Sequence, residues 1–251
     1  EKARILIAIA QSSRTADDLL RPNFFQAANT IRSDGERRRV LTSVLERSDL
    51  SRESMSLALR SAAKISSDGE KSQVLREAAS TRLADDALRP DFFDAVDRIN
   101  SDGEARRALS AVVARRPVDG ETLARVLRSA ARIHSDGEKA NLLAEVARVG
   151  NGEAALRPAY FDAAGTIHSD GERRRVLTAL LDHGRRGREI LLDIVRSATS
   201  IHSDGEKAQV LVRIAEQASG DEQVRDAVRQ AARSLHSDGE FRRVLSAAGG
   251  V

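Results

Sequence analysis

The chain has 251 residues, no Cys and a formal net charge of +3, with charged residues of both signs making up 31% of it. The absence of Cys excludes a disulfide framework and thiolate metal sites, and the small net charge gives an anionic partner only slight support. No apolar run is long enough to span a bilayer and no signal-peptide pattern opens the sequence, so we expect no membrane insertion of this segment.

One tetrapeptide, Ser-Asp-Gly-Glu, organises the whole sequence. It recurs at a constant 34-residue spacing and starts at Ser33, Ser67, Ser101, Ser135, Ser169, Ser203 and Ser237. A fixed period of this length is typical of repeat proteins. The chain begins at Glu1-Lys2, which matches Glu70-Lys71 of a later repeat. We therefore expect a fragment of a longer protein that forms a single repeat domain over residues 1–251.

Each tetrapeptide fits a helix capping box, with Ser at the N-cap and Glu at the third helical position. The Ser hydroxyl can accept from the third amide, the Glu carboxylate can reach back to the N-cap amide, and the Asp suits the helix dipole. The predicted capping glutamates are Glu36, Glu70, Glu104, Glu138, Glu172, Glu206 and Glu240. The alternative is a ladder of acidic turns that binds cations, but each turn has too few oxygens to match a calcium loop. Capping is the favoured interpretation.

Two amphipathic helices are predicted between successive tetrapeptides. The helix before a turn has apolar residues at i, i+3, i+4 and i+7, as in Phe24, Ala27, Ala28 and Ile31. The helix after a turn has them at i, i+1, i+4 and i+5, as in Val40, Leu41, Val44 and Leu45. Both spacings place the apolar residues on one helical face. The sequence therefore predicts an all-α fold, a right-handed α-solenoid of about seven 34-residue helical hairpins with one continuous core.

A second, 68-residue period lies over the first. Arg-Pro recurs as Arg21-Pro22, Arg89-Pro90 and Arg157-Pro158. An aromatic pair follows each, namely Phe24-Phe25, Phe92-Phe93 and Tyr160-Phe161. Pro is tolerated in a first helical turn, and aromatic residues at helical spacing favour a place in the core over ligand stacking. The segments Gly150-Asn151-Gly152 and Gly184–Gly187 fall between helices, so they predict no domain boundary.

Arg pairs recur with the same 68-residue period and are the candidate binding residues. They are Arg38-Arg39, Arg106-Arg107, Arg174-Arg175 and Arg242-Arg243. Evenly spaced cations could contact an acidic polymer or an acidic partner. The local interpretation is favoured, because Arg38 stands four positions after Asp34 and Arg39 three positions after Glu36, and such pairs stabilise a helix.

Four histidines directly precede the Ser of a turn, at His134, His168, His202 and His236. Stacked helices would hold them about 10 Å apart, which is too far for two of them to share one metal. We interpret them as surface residues whose cationic form suits a helix C-terminus. No metal and no cofactor is predicted. The sequence also lacks nucleophile–base motifs, zinc-protease motifs and phosphate-cradling Gly loops, which argues against an enzyme.

The 34-residue hairpin resembles tetratricopeptide and HEAT-like repeats in architecture. The phrase Ile-x-Ser-Asp-x-Glu-Lys/Arg followed by Val-Leu is similar to repeat tails of bacterial penicillin-sensor-type membrane metallopeptidases, which implies a non-catalytic extension. The run Ile201-His202-Ser203-Asp204-Gly205-Glu206-Lys207 also resembles transcription-activator-like effector repeats, which implies a nucleic-acid partner read by Asp204-Gly205. That family varies this pair between repeats, whereas the present chain repeats Asp-Gly and adds carboxylates that repel phosphate.

The predicted function is a non-catalytic scaffold that binds a protein or peptide, because stacked hairpins expose a long concave surface. A modular nucleic-acid binder, which is disfavoured, and a structural spacer are the alternatives.

Overall fold

A computed structural model of the chain describes residues 1–12, 22–81, 85–115, 117–150, 154–183, 187–218 and 220–249. These residues form α-helices joined by short turns, and no strand occurs among them. Arg21, Asn151-Gly152 and Gly184–Arg186, which the sequence interpretation used, lie outside the described residues.

The helices follow one another as hairpins. Their bounds are α1 Lys2–Gln11, α2 Asn23–Asn29, α3 Asp34–Leu45, α4 Arg52–Ala62, α5 Asp68–Thr81, α6 Arg89–Val96, α7 Asp102–Ala114, α8 Gly120–Ala130, α9 Asp136–Gly150, α10 Arg157–Gly165, α11 Asp170–His183, α12 Arg188–Ala198, α13 Asp204–Gln217, α14 Glu222–Ala232 and α15 Asp238–Ala247. Short 3-10 turns at Asp86–Leu88 and Ala154–Leu156 lead into α6 and α10. The predicted all-α array of helical hairpins is confirmed.

The chain forms two compact units, Glu1–Val118 and Asp119–Val251. In the first unit, α1, α3, α5 and α7 pack in that order as one layer, and α2, α4 and α6 pack in order as the other. The second unit repeats the arrangement, with α9, α11, α13 and α15 in one layer and α8, α10, α12 and α14 in the other. We call the first of these the turn-side layer, because its helices other than α1 follow the Ser-Asp-Gly-Glu turns, and the second the first-helix layer.

The core of each unit consists of the apolar faces read from the sequence. In α3, Val40, Leu41, Val44 and Leu45 are at most 1% exposed, in agreement with the i, i+1, i+4, i+5 pattern. Each such side chain contributes roughly 1.5–3 kcal/mol by leaving water. Because a single hairpin cannot cover both faces of its helices, stacking on neighbours is what completes the burial.

The aromatic pairs lie where α2, α6 and α10 face the core. Their rings meet edge to face with centroids 5.4, 5.4 and 6.0 Å apart, a geometry that aromatic pairs prefer. The expected core position is confirmed for the buried residues Phe24, Phe25, Phe92, Phe93 and Tyr160. Phe161 differs, because it is only half-buried and lines an open groove.

Candidate functional site

The Ser side chains of the repeated turns stand at helix N-termini. Ser33 Oγ accepts from the amide of Glu36 at 3.3 Å, which satisfies one of the amides that a helix start leaves free. The same bond forms, at 3.4–3.5 Å, at Ser67, Ser135, Ser169, Ser203 and Ser237. Ser101 holds the N-cap position of α7, but its side chain makes no capping hydrogen bond.

The Asp of a turn accepts two backbone hydrogen bonds from the following turn. Asp34 Oδ2 accepts from the amides of Ser66 and Ser67 at 3.1 and 2.7 Å. Asp68, Asp136, Asp170 and Asp204 bind the next turn in the same way. We call this set the Asp ladder. The sequence interpretation gave these residues only a helix-dipole role, although their constant 34-residue spacing was a signal of contact between repeats.

The Glu side chains differ from the expected capping box. The amide of Ser67, predicted to bond Glu70, donates to Asp34 instead. An amide has one hydrogen, so the carboxylate of Glu70 is left to pair with Arg38 of the preceding repeat. The pair Arg174–Glu206 repeats this contact in the second unit.

The two residues of each Arg pair behave differently. The first, at Arg38 and Arg174, bonds the following repeat, so the expected Asp34–Arg38 pair is replaced by Arg38–Glu70. The second pairs with the Glu three positions earlier, and the predicted Glu36–Arg39 pair is confirmed at 3.0 Å. Its counterparts are Arg107–Glu104, Arg175–Glu172 and Arg243–Glu240. Arg175 also donates to Asn141 Oδ1 of the preceding repeat at 2.9 Å. Arg106 is half-buried and Arg242 is exposed.

A buried or half-buried cation directly after most of the tetrapeptides was missed by the sequence interpretation. Lys71 is 3% exposed, and its Nζ donates to the carbonyl of Arg98 at 2.7 Å, in the hairpin that follows. Arg37, Lys139, Arg173 and Lys207 make equivalent bonds to carbonyls of the next hairpin. Cations near helix C-termini satisfy carbonyls that have no helical partner. The available signal was a basic residue after five of the seven tetrapeptides, the exceptions being Ala105 and Phe241.

The histidine rings lie in solvent beside the Asp ladder. His202 is 91% exposed, and its Nδ1 lies 3.6 Å from the carboxylate of Asp170, to which its backbone amide also donates. His168 and His236 have the same arrangement with Asp136 and Asp204. Each of these three histidines therefore lies beside one carboxylate of the preceding turn, and no two of them share a carboxylate.

Two carboxyl groups of the Asp ladder, those of Asp170 and Asp204, have lowered pKa values. Burial alone would raise the pKa of Asp170, but the amides of His202 and Ser203 and the nearby His202 ring outweigh it and hold the pKa below its ordinary value of 3.8. Asp204 behaves alike, with the amides of Ser237 and His236 lowering its pKa against the effect of burial. The charged form of these groups is therefore the one that the fold binds.

Ion pairs also join successive hairpins within the first-helix layer. Arg52 bonds Asp85, and Arg188 bonds Asp221 with 2.7 Å between Nε and Oδ2. Asp85 and Asp221 in turn accept from the amides of Ala87 and Val224 at the starts of the next helices. The Arg hydrogen bond is the main cause that lowers the pKa of Asp85 and of Asp221.

An open groove also lies in this layer. It has a volume of about 470 Å³ and lies between α10 and α12 of the second unit. Helix α10 contributes Pro158, Phe161 and Gly165, and α12 contributes Asp193, Arg196 and Ser197. We call it the α10–α12 groove.

Gly165 leaves space on one wall of the groove. A Cβ atom placed on Gly165 would meet no atom within 4 Å. The equivalent residues two and four repeats earlier are Asp97 and Asn29, which carry side chains there. Buried Arg173 joins the two sides of the groove at its end, because it donates both to the Gly165 carbonyl and to Ser200.

Two guanidinium groups share one carboxylate inside the groove. Arg196 Nη1 bonds Asp193 Oδ1 at 3.1 Å, while Arg157 Nη1 lies 3.7 Å from Asp193 Oδ2, beyond hydrogen-bond distance. Asp162, on α10, is exposed and also lines the groove. The site thus combines a half-buried aromatic ring with charged groups of both signs, which suits recognition better than proton transfer.

Neither a metal-binding cluster nor a membrane-spanning helix was found in the described ranges. No three of their His, Asp and Glu side chains are grouped to hold an ion. None of the helices described is both long enough and apolar enough to cross a bilayer.

Comparison with known proteins gives this chain no family. No protein-family model matches it. No curated protein matches it either. A solved structure from the computational design of self-assembling cyclic protein homooligomers aligns with 99% of this chain and 92% of its own, at 14% identity and a TM-score of 0.19. At that TM-score the alignment carries no weight for fold or function.

Proposed function

We propose that this protein is a non-catalytic repeat scaffold that binds a protein or peptide segment in the α10–α12 groove. The observation that carries the proposal is the groove itself, with a volume of about 470 Å³ and a half-buried Phe161. Binding clefts commonly have volumes of roughly 300–1,000 Å³ and combine apolar walls with a few placed polar groups. A half-buried aromatic ring is also the kind of anchor on which interface energy concentrates.

The contrast with the Asp ladder supports this location. The carboxylates of the ladder already accept hydrogen bonds from the following turn, as Asp34 does from Ser66 and Ser67. In the groove, Gly165 adds no side chain and the ring of Phe161 is partly open to solvent. A partner can therefore be accommodated beside the ring of Phe161 without displacing a bond of the Asp ladder.

Peptide display on the immobilised protein tests the proposal. The variant Gly165→Asn puts into the groove the side chain that Asn29 carries at the equivalent position. We expect selected peptides to bind the unmodified protein at least tenfold more tightly than Gly165→Asn, measured by fluorescence anisotropy. Gly205→Asn is the matched control. A Cβ atom placed on Gly205 would also meet no atom within 4 Å, but Gly205 lies in α13, away from the groove residues. The proposal would be contradicted if the selected peptides bound Gly165→Asn as tightly as the unmodified protein, or if the selection yielded no binding peptide.

Nucleic acid is the alternative that the effector-like register suggests, and the geometry disfavours it. The Asp at the would-be reading position, such as Asp204, accepts from the amides of His236 and Ser237 of the next turn. A row of carboxylates also repels phosphate. We expect any binding of mixed-sequence duplex DNA or of RNA to vanish between low salt and about 150 mM salt, where phosphate contacts weaken steeply.

A further inference from the structure

We propose that the α10–α12 groove selects a peptide in which an acidic side chain is next to a bulky apolar one. This inference rests on the proposed function, since it names the chemistry of the segment that the groove would take. It depends on the charges of Arg157, Arg196, Asp193 and Asp162 and on the ring of Phe161, which together line the groove.

The two guanidinium groups of the groove share one carboxylate. Asp193 is the ion-pair partner of both Arg157 and Arg196, so two positive charges face one negative charge on that side. Arg157 lies 3.7 Å from Asp193, and Arg196 is 79% exposed. A second carboxylate placed between these guanidinium groups would gain charge-assisted hydrogen bonds from both, and guanidinium groups match carboxylates in geometry.

The remaining charges leave this preference in place. Asp162 is exposed on the α10 side, where water and salt screen its repulsion of an incoming acid. Buried Arg173 at the end of the groove is bonded to the carbonyls of Gly165, Ile167 and Ser200. The helix C-termini thus balance its charge, and Arg173 does not alter the preference of the groove for an acidic side chain.

The apolar half of the ligand is set by Phe161 and Pro158. Both are on α10 and separated by less than one turn, so they form one continuous apolar surface beside the Arg side chains of the groove. An aromatic or leucine-like side chain packed on this surface would place a neighbouring residue of an extended peptide near Arg157 and Arg196. The pairing of an apolar with an adjacent acidic side chain follows from that geometry.

Three short peptides test the inference on the full chain. They share one glycine- and serine-rich sequence with a central phenylalanine, which is followed by glutamate, glutamine or lysine. Titration into ¹⁵N-labelled protein is expected to shift the amide resonances of Gly165 and Ser197. We expect the glutamate peptide to have a Kd at least fivefold lower than the glutamine peptide, the lysine peptide to bind most weakly, and the advantage of glutamate to shrink as salt rises.

Matched variants then assign the preference to the groove. Arg196→Gln is expected to bring the ratio of the glutamine and glutamate Kd values close to one. Arg128→Gln, an exposed residue at the same position of α8, should leave the ratio unchanged. Equal affinities for all three peptides, tightest binding of the lysine peptide, or no shifts at Gly165 and Ser197 would overturn the inference. Suppose that display-selected peptides lack acidic residues but lose their binding in Gly165→Asn. That result would also overturn this inference, although it would support the proposed function.

Discussion

The Asp ladder and the α10–α12 groove use the same repeat in opposite ways. At the ladder, Asp34 and Asp170 stand four repeats apart in different units and make the same two bonds to the next turn. At the groove, the position held by Asn29 and Asp97 is Gly165, and a space opens instead. The invariant Asp therefore holds hairpins together, and a position that does vary offers room for a partner.

The largest expected effect comes from removing a buried cation that joins two hairpins. Arg173 is 8% exposed and donates to Ser200, Gly165 and Ile167. Arg173→Met leaves those acceptors without a partner, so we expect a loss of about 2–4 kcal/mol in the free energy of unfolding, since each bond to a charged group contributes roughly 1.5–3 kcal/mol. Urea unfolding followed by circular dichroism measures it.

A surface Arg provides the control for that loss. Arg243 is 53% exposed and pairs with Glu240 at 3.3 Å, so Arg243→Met should change the free energy by about 0–1 kcal/mol. If Arg173→Met were no more destabilising than Arg243→Met, the buried cations would not be structural links.

Breaking one step of the Asp ladder should have the next largest effect. Asp170→Ala removes the acceptor of two amides, those of His202 and Ser203, and we expect a loss of roughly 1–3 kcal/mol because amides bonded to a charged acceptor lose more than a neutral pair does. Asp238→Ala is the matched control, since Asp238 holds the same place in the last turn and is exposed. Equal losses in the two variants would show that the ladder bonds contribute nothing.

Lowering the pH should reduce the contribution of Asp170 and Asp204 to the free energy of unfolding. The pKa values of Asp170 and Asp204 are lowered in the fold, so the folded state favours the charged carboxylates. Their contribution is complete above the ordinary pKa of an unfolded Asp and is lost as the pH falls through the lower folded values. The free energy of unfolding, measured from pH 7 down to pH 2, should fall less steeply for Asp170→Asn than for the unmodified chain. Parallel curves would refute this assignment.

The sequence predicted the helices well because their signals are local. The Ser-Asp-Gly-Glu start and the spacing of Val40, Leu41 and Val44 lie within one helix, and α3 follows them from Asp34 to Leu45. The partner of Asp34 could not be read the same way, because Ser66 and Ser67 reach it only after two hairpins have stacked. The groove could not be predicted from the sequence for a related reason. Gly165 and Phe161 line a groove only when α12 is packed opposite α10.

The smallest effects are expected from the second Arg of each pair, which the sequence suggested as a binding residue. Arg39 and its counterparts pair with a Glu three positions earlier on the same helix, as Arg39 does with Glu36 at 3.0 Å. Exposed pairs of this kind contribute about 0–1 kcal/mol. Changing Arg39, Arg107 and Arg243 to Gln together should therefore leave peptide affinity in the groove unchanged and lower stability only slightly.

The same triple variant also sharpens the contrast between the two layers. These Arg side chains belong to helices of the turn-side layer, whereas the groove lies between two helices of the first-helix layer. If anisotropy titrations showed a tenfold loss of affinity for display-selected peptides in the triple variant but none in Gly165→Asn, the partner would lie against the turn-side layer. The repeated residues, rather than the exceptional Gly165, would then carry the recognition.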